Sequence, residues 1–399
     1  MSKRAGWQMN VADIVELLRR TGYVIAVAST SIGRAQVPAT LTPVEVIGRS
    51  TDLVGAADSA TEGIVTGAQL TRRPLLRPAE VLESVPGLIV TQHSGDGTAN
   101  QYFLRGFNLD HGSDFASFVN GMPVNNVSHA HGQGYMDLNF LIPELIDRMR
   151  YRKGPYGAED GDFAVTGSAR IDDMRSLPAP FVDVTFGEHR HRRLLTGGST
   201  LLDNGMTLLG AIELGETDGP WEKPERLRKV NTVVRLSSGT VANGYSLTAM
   251  TYRAAWTATE HVPERAIVQG EIGRYGTLSP TDGGRTYRNS LSGEWARSGE
   301  DEKTRANVYL VGYGLNLFSS PSGVQDPQHE QEDRRNILGG AVSHNWALGD
   351  AWPDTDATVG LQVRHDRLPH VGLFDTVDRI RRETVREDRV DEMLISTQN

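Results

Sequence analysis

Between Asn100 and Pro155 the chain repeats one device, a short apolar run closed by glycine or proline. The runs are Phe103-Leu104-Arg105-Gly106-Phe107, Phe118-Val119-Asn120-Gly121-Met122-Pro123, Pro143-Glu144-Leu145-Ile146 and Arg152-Lys153-Gly154-Pro155. Glycine and proline stop each run and turn the chain, so the stretch reads as small strands joined by tight turns. Asn120-Gly121 is the sharpest signal, because a type I′ hairpin needs two residues tolerant of positive φ. Alone, the pattern implies a compact α+β module.

The order of the runs implies more. Upstream lies Ala79-Glu80-Val81-Leu82-Glu83-Ser84-Val85-Pro86-Gly87-Leu88-Ile89-Val90. With Leu104-Arg105-Gly106, Val119 to Pro123, and Pro143 to Pro155 running into Tyr156-Gly157, this resembles the plug domain of TonB-dependent outer-membrane receptors. The resemblance spans roughly residues 40 to 175 in four ordered blocks, far more specific than any one motif. The chain departs from the pattern at Asn120, where Asp is usual. It departs again at Thr166-Gly167-Ser168-Ala169-Arg170-Ile171, where a glycine pair is common. The fold this implies is an α+β plug domain followed by an antiparallel transmembrane β-barrel.

The rest of the chain is divided on that basis. Residues 1–36 are basic at Lys3, Arg4, Arg19 and Arg20, then small and apolar from Tyr23 to Gly33, as in a secretory signal. An amphipathic helix through Val11, Ile14, Leu17 and Leu18, capped by Asn10, is the other reading. Residues 37–69 form a linker holding Thr42-Pro43-Val44-Glu45-Val46-Ile47-Gly48, which resembles the TonB box. Alternating β-formers on a flexible tether suit strand addition to a partner's edge, here the energy-transducing TonB protein. The plug is expected at 70–177 and the first part of the barrel at 178–399.

From about Pro180 the pattern alternates. Met206 to Leu214 sets Leu208, Gly210, Ile212 and Leu214 against Thr207, Leu209, Ala211 and Glu213. Asn307 to Leu317 sets Tyr309, Val311, Tyr313, Leu315 and Leu317 against Leu310, Gly312, Gly314 and Asn316. Ala357 to Arg364 turns Ala357, Val359, Leu361 and Val363 outward, against Thr358, Gly360, Gln362 and Arg364. Apolar outer faces over small or polar inner faces are what a lipid-facing barrel requires. A soluble β-sandwich also alternates; the plug upstream favours the barrel. No run of about 18 apolar residues occurs, which excludes a transmembrane helix and says nothing against a barrel.

Only about ten strand-like segments follow residue 181. Barrels of the resembled family have 22 strands around a plugged lumen. At about 4.8 Å spacing and about 40° tilt, ten strands close a ring of roughly 10 Å radius and 22 strands one of roughly 22 Å. A plug of about 110 residues has a solid radius near 17 Å and enters only the larger ring. The last residues, Gln398-Asn399, lack the terminal aromatic typical of such barrels. The sequence therefore resembles a truncated receptor, a fragment or frameshifted copy carrying about half of a 22-stranded barrel.

Among 399 residues with net charge −9 and no cysteine, composition argues against a nucleic-acid partner, disulfides and Cys-ligated metals. The candidate functional residues are His111, Asp114, His129, His131 and Tyr135. In Ser128-His129-Ala130-His131-Gly132-Gln133-Gly134-Tyr135, histidines at i and i+2 of an extended segment share a face. They are candidates to bind a transition metal or chelate together; the alternative is hydrogen bonding within the plug or to the barrel wall. A dinuclear hydrolase needs H-x-H-x-D-H, and Gly132-Gln133-Gly134 breaks that spacing. His189 and His191 sit among Arg190, Arg192 and Arg193, which repel cations. Arg148, Arg150, Arg152 and Lys153 read as a charged strand face paired to acidic barrel groups. Arg105 reads as a structural guanidinium tying carbonyls or a carboxylate. Gly106 and Gly121 serve backbone geometry, and Asn120, Gly154 and Pro155 belong with them and Arg105 to the structural motif of the resembled plug.

By resemblance, the implied activity is TonB-coupled uptake of a scarce solute, such as a metal chelate, vitamin or saccharide, with no cofactor and no enzymatic step. The implied place is the outer membrane of a Gram-negative cell, among its lipids, with plug and N-terminus facing the periplasm. The rival classes are a periplasmic ligand-binding or signalling module built on the plug, and a secreted metal-dependent hydrolase.

Overall fold

The computed structural model describes residues 59–93, 95–320, 328–349 and 355–398. The expected signal at 1–36 and the Thr42–Gly48 segment lie outside them.

The first part is a plug of small elements. Its strands are β1 Glu62–Thr66, β2 Leu88–Thr91, β3 Gln101–Leu104, β4 Phe107–Asn108, β5 Phe115–Val119, β6 Met122–Pro123, β7 Ile146–Lys153 and β8 Gly167–Asp173. A five-stranded sheet runs β1-β7-β8-β5-β6 and a three-stranded sheet runs β2-β3-β4. β5 and β8 pair in parallel, while β1 with β7 and β7 with β8 are antiparallel. Val65, Leu82, Val85, Leu104, Phe115, Met122, Leu138, Ile146, Met149 and Ile171 are buried between these elements. β1 and the one-turn helix Gly67–Leu70 belong to this body, so the plug's sheet begins inside the stretch expected as linker. Five residues paired to a strand some eighty positions downstream carry no local signal of that partnership.

Asn120-Gly121 turns as the sequence implies: φ is 48° and 75°, and Val119 pairs with Met122. Arg105-Gly106 does the same between β3 and β4, with φ of 52° and 84°. This corrects the reading of Arg105 as a guanidinium tie. Among the described residues its side chain makes no hydrogen bond or ion pair, and its service is to the turn.

The second part is one antiparallel sheet of ten strands in sequence order. They are β9 Phe181–Phe186, β10 Arg192–Leu201, β11 Thr207–Thr217, β12 Leu227–Gly239, β13 Gly244–Thr257, β14 Gly283–Ser298, β15 Glu302–Ser319, β16 Gln328–Ala347, β17 Asp356–Val377 and β18 Ile380–Gln398. One end carries the turns 202–206, 240–243 and 299–301; the other carries the longer 218–226 and 258–282. Val182, Val184, Phe186, Leu208, Leu247, Val308, Leu310, Val342, Val359, Leu361 and Ile395 are exposed on the face away from the plug. Antiparallel strands in sequence order with an apolar outer face are the outer-membrane barrel pattern.

In β17 the faces lie as expected, with Arg364 buried and Val359 and Leu361 outward. In β15 they are reversed: Tyr309, Val311, Tyr313, Leu315 and Leu317 are buried while Leu310 is exposed. The inner face here is aromatic because the plug supplies a body to pack against. The tyrosines also need bare backbone opposite, and a Cβ at Gly339 would lie 2.3 Å from the Tyr309 hydroxyl.

Candidate functional site

The site is the loop after the Asn120-Gly121 hairpin. Asn126 and Tyr135 close its base, with Asn126 N donating to Tyr135 O at 3.0 Å and Gly134 N to Asn126 O at 2.8 Å. Asn125 holds that base to the plug: Ser117 N donates to its Oδ1, and its Nδ2 donates to Gly112 O and Phe115 O. Residues 126–135 thus form a closed loop instead of the extended segment expected from the sequence. Gly and Ser through it favour turns, and the base bonds leave no strand to pair with.

The loop is held to the wall by charged residues of β16 and β17. Arg335 donates Nε to Asp333 Oδ1 at 2.8 Å and Nη1 to Asp366 Oδ2 at 3.3 Å, and Nη2 reaches Ser128 O. Arg364 donates Nε and Nη2 to Asp366 at 2.6 and 2.7 Å, and Nη1 to Asn125 O at 2.8 Å. Ala130 N donates to Asp333 Oδ2 at 3.3 Å. Two arginines and two aspartates cancel in charge and spend their spare donors on loop carbonyls, which is how buried ions are tolerated. The signal for this latch was present in the sequence as Asp333/Arg335 and Arg364/Asp366, charges at i and i+2 on an inward face.

The two histidines of the loop do different things. His129 is buried; its Nδ1 accepts from His131 N at 3.1 Å, which leaves its proton on Nε2, 3.1 Å from the Tyr313 hydroxyl. Its ring stacks on Tyr135 with centroids 4.1 Å apart. Burial pushes its pKa down to about 3, against the pull of Asp333, so the ring is neutral. His131 Nδ1 lies 2.6 Å from Gln331 Oε1. With both His129 nitrogens engaged, the pair does not present two free nitrogens to one ion. Tyr135 is buried, its hydroxyl accepting from Ala99 N at 2.9 Å. Asp114 contributes its backbone carbonyl, which accepts from Thr166 N at 3.0 Å and Thr166 Oγ1 at 2.6 Å.

His111 is buried beside the loop, its Nδ1 donating to Asn100 O at 3.0 Å. Burial, then neighbouring His131, lowers its pKa to about 4. Two histidines that carry no motif join it. His93 stands 5.1 Å from His111, and His261, from the 258–282 loop, stacks on His93 at 5.1 Å between centroids. The arginines of β7 pair within the plug: Arg150 with Asp172, and Arg152 with Glu62, Glu159 and Asp160. This corrects the expectation of barrel partners, because Asp172 lies on the neighbouring strand β8 and Glu62 on β1, nearer than any wall carboxylate. At the other end of the plug, Gly121 O accepts from Asn307 Nδ2 at 2.7 Å, and Asn120 Oδ1 from Arg235.

A small mixed sheet packed against the charged inner face of an antiparallel sheet, whose outer face is apolar, defines a plugged-barrel protein. Residues 56–168 match the family model described as TonB-dependent Receptor Plug Domain, so this part of the chain is a plug domain of that family. Its fold is similar to the ferric citrate transporter FecA (TM-score 0.64, 12% identity, covering 85% of this chain and 51% of that one). It is similar also to the pyoverdine outer membrane receptor FpvA from Pseudomonas aeruginosa (0.60, 12%, 84% and 52%) and the copper transporter OprC (0.59, 16%, 84% and 50%). The chain spans about half the length of the solved structures it matches.

Proposed function

We propose that the chain supplies the plug and ten strands of an outer-membrane receptor that takes up a scarce, metal-linked solute, driven by TonB through Thr42–Gly48. The observation that carries this reading is the latch. A plug loop is bound to the wall by hydrogen bonds from Arg335 and Arg364, which a change of plug position would break and re-form. A ligand at the loop end and a partner pulling from the other bias such a two-state element in opposite senses. The exposed apolar band favours lipid over the soluble periplasmic alternative. In a larger ring the two unpaired edges, β9 and β18, would find partners. The reading is a transport receptor and not an enzyme, with plug and N-terminus toward the periplasm.

The test is accumulation of radiolabelled iron, zinc and copper by cells carrying the gene, with and without Val44→Pro/Val46→Pro in the TonB-box segment. Proline removes donors needed for strand addition. The reading requires outer-membrane fractionation and uptake that the double variant abolishes. Uptake indifferent to the prolines, or a chain in the soluble fraction, sinks it.

A further inference from the structure

We propose that His93, His111 and His131, with the carboxylate of Asp110, form a capture site for a hydrated transition-metal dication of the zinc, copper or nickel class. The proposal rests on the receptor reading above and gives its cargo a chemistry.

The rings stand at the spacing of imidazoles that share an ion. His93 and His111 have centroids 5.1 Å apart, tilted 36°, and His111 and His131 have centroids 4.5 Å apart at 68°. Two imidazoles sharing one ion at about 2.0–2.1 Å per nitrogen have centroids about 4.5–5.2 Å apart for bond angles between about 90° and 110°.

Each of the three rings also keeps a spare nitrogen. His111 Nδ1 faces the Asn100 carbonyl, which can only accept, so its proton is on Nδ1 and Nε2 carries a lone pair. His131 Nδ1 faces Gln331 Oε1, leaving its Nε2 in the same state. His93 Nδ1 is buried without a partner. One nitrogen anchored on an oxygen and the other bare is the arrangement of a metal-ligating histidine.

The local charge suits a cation as well. Asp110 Oδ1 lies 3.8 Å from His111 Nε2 and brings a carboxylate to the three rings. Imidazole with carboxylate and no thiolate suits Zn²⁺, Cu²⁺ or Ni²⁺ and disfavours Cu⁺. His129 is outside the set because both its nitrogens are used, and His261, parallel to His93 at 13°, covers that ring without aiming at the same point. Among the described residues no three such groups yet converge at ligand distances. His93 and His131 each meet His111 and not one another, so shared binding of one ion requires half-buried His93 and exposed Asp110 to turn about their own side-chain torsions.

The full chain in detergent, titrated calorimetrically with Zn²⁺, Cu²⁺ and Ni²⁺ chlorides, tests this, with the Cu²⁺ form read by electron paramagnetic resonance. One ion per chain is expected, with nitrogen splitting from at least two imidazoles. His93→Ala and His131→Gln should each weaken it more than about 100-fold, beyond the 10–100-fold of an outer-shell loss. Exposed His189→Ala should leave it unchanged. A parallel titration with the metal as its citrate complex separates sources: binding of the complex alone overturns the proposal, as do absent binding or affinity unmoved in both variants. Absent ion binding with proline-sensitive uptake intact removes this inference and spares the receptor reading. Ion binding with proline-insensitive uptake does the reverse.

Discussion

Arg235, on wall strand β12, donates Nη1 to Asn120 Oδ1 at 2.8 Å, and so grips the hairpin turn of the plug by its side chain. The same guanidinium donates Nη2 to Glu294 at 2.8 Å and to Ser246 at 3.1 Å. Asn120 in turn receives Asp173 N at 3.0 Å and gives Nδ2 to Asp173 Oδ2 at 2.7 Å. An amide here can accept from two donors and still give to a carboxylate, which the Asp usual at this place cannot do. Arg235→Met should cost about 2–3 kcal/mol, the scale of a lost hydrogen bond to a charged donor. The urea midpoint of the refolded chain reads the loss, and faster proteolysis of the plug should accompany it.

Asp173 gives a pH signature. It is buried, and burial outweighs its bond from Asn120, lifting its pKa from 3.8 to about 6. A carboxyl raised on folding stabilises the fold in its protonated form. Its contribution is full below about pH 4 and is lost as pH rises through about 6. Two pH units correspond to an effect on the order of 3 kcal/mol. Stability should fall between those limits as pH rises, and Asp173→Asn should flatten that part of the profile while still accepting from Asn120. An unchanged slope in the variant would assign the titration elsewhere.

What the sequence revealed was local. Asn120-Gly121 and the glycine-closed runs declared their turns because turn chemistry is set by the residues in the turn. The alternation of β17 declared its faces because Arg364 and Gln362 can only point inward beneath an apolar surface. β15 misled because its buried face is defined by distant neighbours: His129 of the plug for Tyr313, and bare Gly339 of wall strand β16 for Tyr309. β1 was hidden because its partner is distant in the chain. His93 belonged to no motif; it reaches His111 only once β2 and β3 pair in the register Leu88 to Leu104.

The latch should be cooperative. Asp333 and Arg335 are both fully buried, so Arg335→Met leaves an unpaired carboxylate and should cost about 3–5 kcal/mol. Asp333→Asn in that background should restore a large part, because the stranded charge goes with it. Amide exchange in residues 126–135 is the direct readout, faster in Arg335→Met than in the double variant. Equal exchange in wild type and both variants would mean that the wall does not hold the loop.

Gly121 separates backbone from packing. Its φ of 75° disfavours any side chain, and an added Cβ would lie 2.5 Å from Asn307 Nδ2, the atom that donates to its own carbonyl. Gly121→Ala should therefore carry about 1–2 kcal/mol of left-handed strain plus about 1 kcal/mol for the displaced bond. In an Asn307→Ala background neither clash nor bond exists, and the same substitution should cost only the backbone part. The difference between the two costs, read from denaturation midpoints of the four chains, isolates what the wall contributes to the hairpin. If the cost is the same in both backgrounds, Asn307 only neighbours the turn and does not hold it.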